Sequence, residues 1–350
     1  MKTDSIRISN SDKIGMMISY ATMLTSGITL VEATTSLLED SKGNQKKVLQ
    51  VIHNDISQGK QLNLSIEKFP SIFDKVTVNI IKAAEESGTL DTTLKQIVTN
   101  IKKDMEFTDK VKSALFYPCF IIVVFIGMLV MILVIVVPKI ATVFLNLRVA
   151  LPLPTRILIF LSDLILKYTF PTLIGVFIFF TITIVIFKTR RRALTQAVFS
   201  LPLINRLIIK IDLTRLTRNL ASLLQSGIII TTALDLTEDI VINKQVHAML
   251  TTSKQMVLSG KNLTEGMKAS KKIIPSIVIR IIESGEKSGS LEKSLQEVAE
   301  YLDYEVTGLL KTLTTLMEPI MLVIVGVLIG GMMISIIAPI YSLISKVGAM

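Results

Sequence analysis

From Cys119 to Val137 the chain runs through nineteen residues without a charge, CFIIVVFIGMLVMILVIVV. At the helical rise of about 1.5 Å per residue, such a run crosses roughly 30 Å of hydrocarbon, so it is predicted to be a transmembrane helix. Tyr168 to Phe187 is a second uncharged stretch, of twenty residues, with Pro171 near its start, where the missing N–H does least damage. A third runs from Pro319 to about Tyr341 and carries Gly326, Gly330 and Gly331. Its Gly326-x-x-x-Gly330 spacing would let another helix approach closely. Composition agrees with a membrane protein: half of the 350 residues are hydrophobic and the mean hydropathy is +0.59. Aromatics are only 6%, with no Trp, which favours helices over a β-barrel with aromatic girdles.

Orientation is read from Lys and Arg near the span ends. Lys102, Lys103, Lys110 and Lys112 precede the first span, and Lys188 with Arg190 to Arg192 follows the second, so both flanks are predicted to be cytoplasmic. The segment between Lys139 and Lys167 is sparser in basic residues and is expected outside, as is the tail ending at Met350. Met1 to Ser11 has no apolar core and so does not read as a secretory signal. Cys119, the single cysteine, reads as a small hydrophobe at the start of an apolar run. The net charge of +10 is explained by cytoplasmic flanks; without interleaved aromatics it does not indicate nucleic acid.

A repeat organises the rest. Thr77 to Pro138 aligns without a gap on Val278 to Pro339 at an offset of 201 residues. Glu85-x-Ser87-Gly88-x-Leu90 matches Glu286-x-Ser288-Gly289-x-Leu291, and Pro118 and Pro138 match Pro319 and Pro339. Upstream, Gly59-Lys60-x-Leu62 matches Gly260-Lys261-x-Leu263, and Leu24-Thr-Ser26-Gly27-Ile28 matches Leu224-Gln-Ser226-Gly227-Ile228. The predicted division is a first cytoplasmic helical domain (12–117), a transmembrane helix (118–138), an external segment (139–167) and a second transmembrane helix (168–187). A second cytoplasmic helical domain (188–318), a third transmembrane helix (319–341) and an external tail (342–350) complete it.

These signatures make sense as helix punctuation. Gly tolerates the left-handed backbone that ends a helix, and a following Ser or Thr can cap the next one. Gly27 should stop a helix and Thr29 start another, with Glu32 completing a capping box. Gly88 and Gly289 should end later helices, with Thr89 and Ser290 capping their successors and Asp91 and Glu292 in the first turn. Apolar residues recur at helical spacing between the turns, as in Leu94, Ile97, Val98 and Ile101. A direct binding role for Glu85 and Glu286 is the alternative to a turn.

At these residues the chain resembles the family of inner-membrane platform proteins shared by type II secretion systems and type IV pili. The resemblance rests on Gly285-Glu286-Lys-Ser288-Gly289-Ser-Leu291, Tyr117-Pro118, Glu318-Pro319 and Leu151 to Thr155, and it covers nearly the whole chain. The first copy departs from the signature, with Ala84 in place of glycine before Glu85. The resemblance implies an all-α membrane protein with about six helices in each cytoplasmic domain. It also implies a cytoplasmic hexameric assembly ATPase, pilin or pseudopilin subunits and other inner-membrane assembly proteins as partners, within a homo-oligomer in the bacterial inner membrane.

An enzyme reading finds no phosphate loop and no His-Glu-x-x-His zinc site, and neither Gly59-Lys60 nor Gly260-Lys261 is followed by Ser or Thr. His53 and His247 do not coincide in the repeat. No cofactor or metal is expected. Glu318 reads as an interfacial carboxylate, with an interdomain contact as the alternative. Arg206, Lys210, Arg215 and Arg218 are close enough in sequence to steer an acidic partner, against a solvated helix face or lipid contact. The competing function class is a membrane signalling adaptor or transporter subunit, and pilus and secretion machines are not separated by these motifs.

Overall fold

The computed structural model describes residues 6–139, 141–142, 153–167, 202–270 and 273–347, and among these the regular structure is helical, with no strand. Helix α1 (Asn10–Thr25) begins at Ser9, whose hydroxyl accepts the Asp12 N–H at 3.0 Å. Helix α2 (Leu30–Asp40) begins with the expected capping box: Thr29 Oγ1 accepts the Glu32 N–H and the Glu32 carboxylate accepts the Thr29 N–H. The Thr29 hydroxyl also donates to the Glu32 carboxylate at 2.9 Å, and this bond, with that from the Thr29 N–H, holds the Glu32 carboxyl below its usual range. Helices α3 (Gly43–Ser57), α4 (Leu62–Ile66) and α5 (Lys75–Ser87) follow, then the long α6 (Leu90–Met131). Helix α6 continues into a π turn, Ile132–Val136, against which α7 (Leu153–Lys167) packs.

The second copy repeats this order. It comprises α8 (Pro202–Gln225), α9 (Ile230–Thr237) with a short 3₁₀ turn, α10 (Lys244–Leu258), α11 (Leu263–Lys268), α12 (Ser276–Ser288) and α13 (Leu291–Val347). Helices α5 and α12 both stop at a left-handed glycine, Gly88 and Gly289, each with φ +71°. A side chain there would strain the backbone, which explains why both copies keep glycine at that turn. The expected acidic residues, Asp91 and Glu292, lie in the first turns of α6 and α13. The hydroxyls of Thr89 and Ser290 bond those of Ser87 and Ser288, each at 2.7 Å.

Two compact units result. One joins Met1–Lys110 to Asn205–Thr307, and the other joins Val111–Ile204 to Gly308–Met350. In the first unit both copies feed one hydrophobic cluster, with Tyr20, Phe69, Ile81 and Leu94 from the first and Leu213, Met249, Ile282 and Leu295 from the second. The helical stripe read from sequence is the buried one: Leu295, Val298, Ala299 and Leu302 are each no more than 1% exposed. The Tyr20 hydroxyl, buried in that core, donates to Thr34 at 3.0 Å; burial pushes its pKa up to about 12.

Among the described residues, two helices are long and apolar enough to cross a membrane, Leu90–Lys139 and Leu291–Gly331. Pro118 lies inside α6 and Pro319 inside α13, so neither proline ends its helix. Most of the span surface is exposed apolar side chain, including Phe120, Val123, Leu322 and Val327. The stretch 168–187, expected to span, lies outside the described residues, as do Arg190 to Arg192. Pro138 and Pro339 both fall within helical backbone.

Candidate functional site at the repeated turns and the seam between the two copies

The repeated glutamates do more than sit in turns. Glu85 reaches back to the start of α4, where its two carboxylate oxygens accept the N–H groups of Leu62 at 2.6 Å and Asn63 at 2.9 Å. Glu286 does the same for α11, accepting from Leu263 N–H at 2.5 Å, Thr264 N–H at 3.1 Å and the Thr264 hydroxyl at 2.5 Å. Backbone N–H groups at a helix start have no partner within the helix, so a carboxylate there satisfies them and meets the positive end of the helix dipole. Two signatures that look separate in sequence, Gly-Lys-x-Leu and Glu-x-Ser-Gly, are thus one contact. The signal that would have revealed it is the conserved 23-residue spacing, from Leu62 to Glu85 and from Leu263 to Glu286.

The glycine before Glu286 has its own role. A Cβ on Gly285 would fall 2.3 Å from Ser294 Oγ and 2.5 Å from Ser294 Cβ, so the start of α13 packs directly on that position. In the first copy Ala84 occupies the equivalent place and is itself buried. Leu90 and Leu291 open α6 and α13 and pack against the shared core.

The four basic residues do not share one exposed face. Arg206 is exposed, while Lys210 is half-buried and ion-paired with Glu305. Arg215 is half-buried and donates to Thr108 Oγ1 at 3.2 Å. Arg218 is only 6% exposed; its guanidinium lies 3.4 Å from Asp303, 3.7 Å from Asp104 and 5.3 Å from the centre of the Phe107 ring. Helical periodicity carries Arg215 and Arg218 onto the face of α8 that meets α6 and α13. The same seam carries Asn100 donating to Ser222 at 2.8 Å and the Lys103–Glu300 pair at 3.0 Å. Burial lowers the Arg218 pKa, opposed by Asp104 and Asp303.

A cleft of about 320 Å³ opens beside this seam, lined by Lys13, Asp74, Asn100, Asp104, Arg215 and Arg218 among others. Burial lowers the Lys13 pKa, with Asp74 and Asp104 acting against it. Arg218 Nη1, Arg215 Nε and Asp303 Oδ1 are buried without a hydrogen-bond partner among the described residues. The arrangement is charge-paired, with Arg215 and Arg218 facing Asp104. Elsewhere, His247 Nε2 lies 3.3 Å from Glu238, and among the described residues no group of three or more His, Cys, Asp or Glu is placed to hold a metal. Glu318 lies within α13, one residue before Pro319.

Fold and site together define a helical membrane protein built on two copies of one module, each copy running into an apolar helix. The family described as "Type II secretion system (T2SS), protein F" matches the chain twice, over residues 17–138 and 216–339, and the chain belongs to that family. The chain is 30% identical over 329 residues to "Type IV pilus assembly protein PilC" of Myxococcus xanthus, covering 93% of this chain and 78% of that one. It is 31% identical over 328 residues to the protein of the same description in Thermus thermophilus, covering 93% and 80%. It is 27% identical over 336 residues to "Type II secretion system protein F" of Pseudomonas aeruginosa, covering 94% and 82%. Relatives from both kinds of machine thus align along nearly the whole chain.

Proposed function

We propose that this protein is a non-enzymatic inner-membrane platform that couples a cytoplasmic assembly ATPase to the extraction of pilin or pseudopilin subunits. The observation that carries the reading is the doubled family domain, each copy passing from a soluble core into an apolar helix without a break. An unbroken helix is a stiff element, suited to passing a displacement of the cytoplasmic part to the bilayer. Residues 12–117 and 188–318 serve as the cytoplasmic modules, each built of about six helices. The spans are 118–138, 168–187 and 319–341, with the N-terminus cytoplasmic and the C-terminus periplasmic. Homo-oligomerisation and contact with other inner-membrane assembly proteins belong to the same reading.

Arg206 is the exposed member of the basic set, and in this reading it steers an acidic partner. The test is co-purification of the assembly ATPase with the full-length protein at several salt concentrations. Arg206→Glu should weaken recovery most at low salt, because exposed charges are screened. Unchanged recovery after removal of both cytoplasmic modules would defeat the platform reading. Topology is checked in a Cys119→Ala background, where Asn44→Cys and Lys261→Cys should resist an impermeant thiol reagent that reaches Val149→Cys and Gly348→Cys.

A further inference from the structure

The π turn near the end of the first apolar helix creates a gap in the backbone ladder, and the chain fills it from elsewhere. Val137 N–H donates to Ile132 C=O, five residues back. In that register the next carbonyl, that of Leu133, would take its proton from residue 138, and residue 138 is proline, which has none. The Ser162 hydroxyl supplies the missing donor, bonding Leu133 C=O at 2.6 Å, and Ser162 is 2% exposed. Helix α7 is therefore fastened to the span by a bond that an apolar environment makes costly to lose. Leu133 lies fourteen residues beyond Cys119, about 21 Å along a charge-free run that crosses roughly 30 Å. The attachment point falls within the membrane's thickness.

The surface of α7 divides three ways. At about 100° per residue, Phe160, Leu164, Ile157 and Leu161 share an arc of about 100°. Phe160 is 66% and Ile157 59% exposed, with Leu161 and Leu164 also exposed. Ser162 is on the far side, against the π turn, and Arg156 and Asp163 lie along one flank. The helix that α7 packs on exposes Met131, Ile135 and Val136. One face on protein, one apolar and open, and one charged is the pattern of a helix lying at a membrane surface. We propose that α7, expected from its sequence to belong to an external segment, is instead seated in the interface of the outer leaflet, with Ile157, Phe160, Leu161 and Leu164 facing lipid acyl chains and Arg156 facing headgroups. This rests on the reading of Cys119–Val137 as a membrane span.

The chain contains no Trp, so single tryptophans report position without background. The full-length protein carrying Phe160→Trp, Arg156→Trp or Val123→Trp is reconstituted into phosphatidylcholine vesicles with or without bromine on the acyl chains. Val123 is 67% exposed on the span and reports whether the span is in lipid at all. Brominated lipid should quench Phe160→Trp at least about twofold more than Arg156→Trp, with aqueous iodide ranking them in the reverse order. Quenching of Val123→Trp by lipid while Phe160→Trp responds only to iodide would overturn the interface helix. Response of Phe160→Trp to neither quencher would also overturn it, placing protein, such as a second copy, on that face. Loss of the Val123→Trp signal would instead remove the membrane reading beneath it. Adding Ser162→Ala should reduce the lipid quenching of Phe160→Trp, and Pro138→Ala, which returns a backbone N–H, should restore it; no change on Ser162→Ala would show that this bond does not hold α7 in place.

Discussion

The carboxylate of Glu286 accepts the backbone N–H of Leu263 at 2.5 Å across 23 residues of chain. That bond joins the end region of α12 to the start of α11 and fixes the path between them. Its counterpart, from Glu85 to Leu62, spans the same 23 residues at 2.6 Å. The two copies differ at one donor: Thr264 adds its hydroxyl to Glu286, whereas Asn63, in the equivalent place, turns its side-chain oxygen to the Leu64 N–H. A carboxylate suits both sites because every group facing it is a donor.

Glu286→Gln should therefore be more harmful than Glu85→Gln. Replacing one carboxylate oxygen by an NH₂ group sets a donor against a donor and removes a charge-assisted bond, a loss of about 1–3 kcal/mol. In a unit of this size each kcal/mol corresponds to roughly 2–4 °C in Tm. Thermal unfolding of the detergent-solubilised protein, followed by circular dichroism, should show both variants melting lower, Glu286→Gln the more. Unchanged melting would mean that the caps do not support the core, and equal lowering would mean that the Thr264 hydroxyl adds nothing to the cap.

Gly285→Ala is expected to destabilise despite alanine's better helix propensity. The gain of about 1 kcal/mol in propensity is opposed by overpacking of about 1–3 kcal/mol where Ser294 sits against the position. The neighbouring Leu291 Cα is 3.2 Å from the added Cβ, so the backbone of α13 must give as well. Ser294→Gly should suppress much of the effect, and a double-mutant cycle would measure the coupling. Additive effects would show that the contact with Ser294 is not what excludes a side chain.

Asp55 gives a pH prediction. It is buried, which would raise its pKa, but bonds from Lys60 at 2.8 Å and from Lys68 outweigh burial and hold the carboxyl below its usual range. A carboxylate depressed in the folded state adds stability above its unfolded pKa of about 3.9, and that stability is lost as pH falls through the folded value. Asp55→Asn should accordingly lower Tm at neutral pH, with the difference from the parent shrinking below about pH 4. A difference that stays constant down to pH 3 would assign the effect to packing instead.

The helix stops were legible because the same glycines recur in both copies, Gly27 with Gly227 and Gly88 with Gly289, whereas the box of Thr29 and Glu32 belongs to the first copy alone and was legible from its own spacing. The apolar stripe containing Leu295 and Leu302 was legible from periodicity alone. The partner of Glu286 was not, because a bond across 23 residues leaves no local pattern. The burial of Arg218 was hidden for a related reason. Along α8 it looks like one cation among four, and only the arrival of Asp104 and Asp303 from two other helices makes its burial tolerable. Ser162 was invisible because the need for it arises from Pro138 and a π turn in another segment.

Arg218 separates the seam from the surface. Removing one member of a buried charge pair leaves the others unpaired at a cost of about 3–5 kcal/mol, whereas an exposed substitution away from such a feature stays within about 0.5 kcal/mol. Arg218→Met should leave Asp303, which has a buried oxygen already lacking a hydrogen bond, with the longer 3.6 Å pair to Lys110, and also withdraw the cation from the Phe107 ring. Arg206→Ala, on the exposed side of the same helix, should melt like the parent. Adding Asp303→Leu to Arg218→Met should recover part of the loss, since an apolar pair replaces a broken ionic one. The measurement is Tm for the four proteins, with limited proteolysis as a second readout of whether the two copies come apart. If Arg218→Met melts no lower than Arg206→Ala, the seam owes its stability to the shared apolar cluster, and the buried charges are spectators.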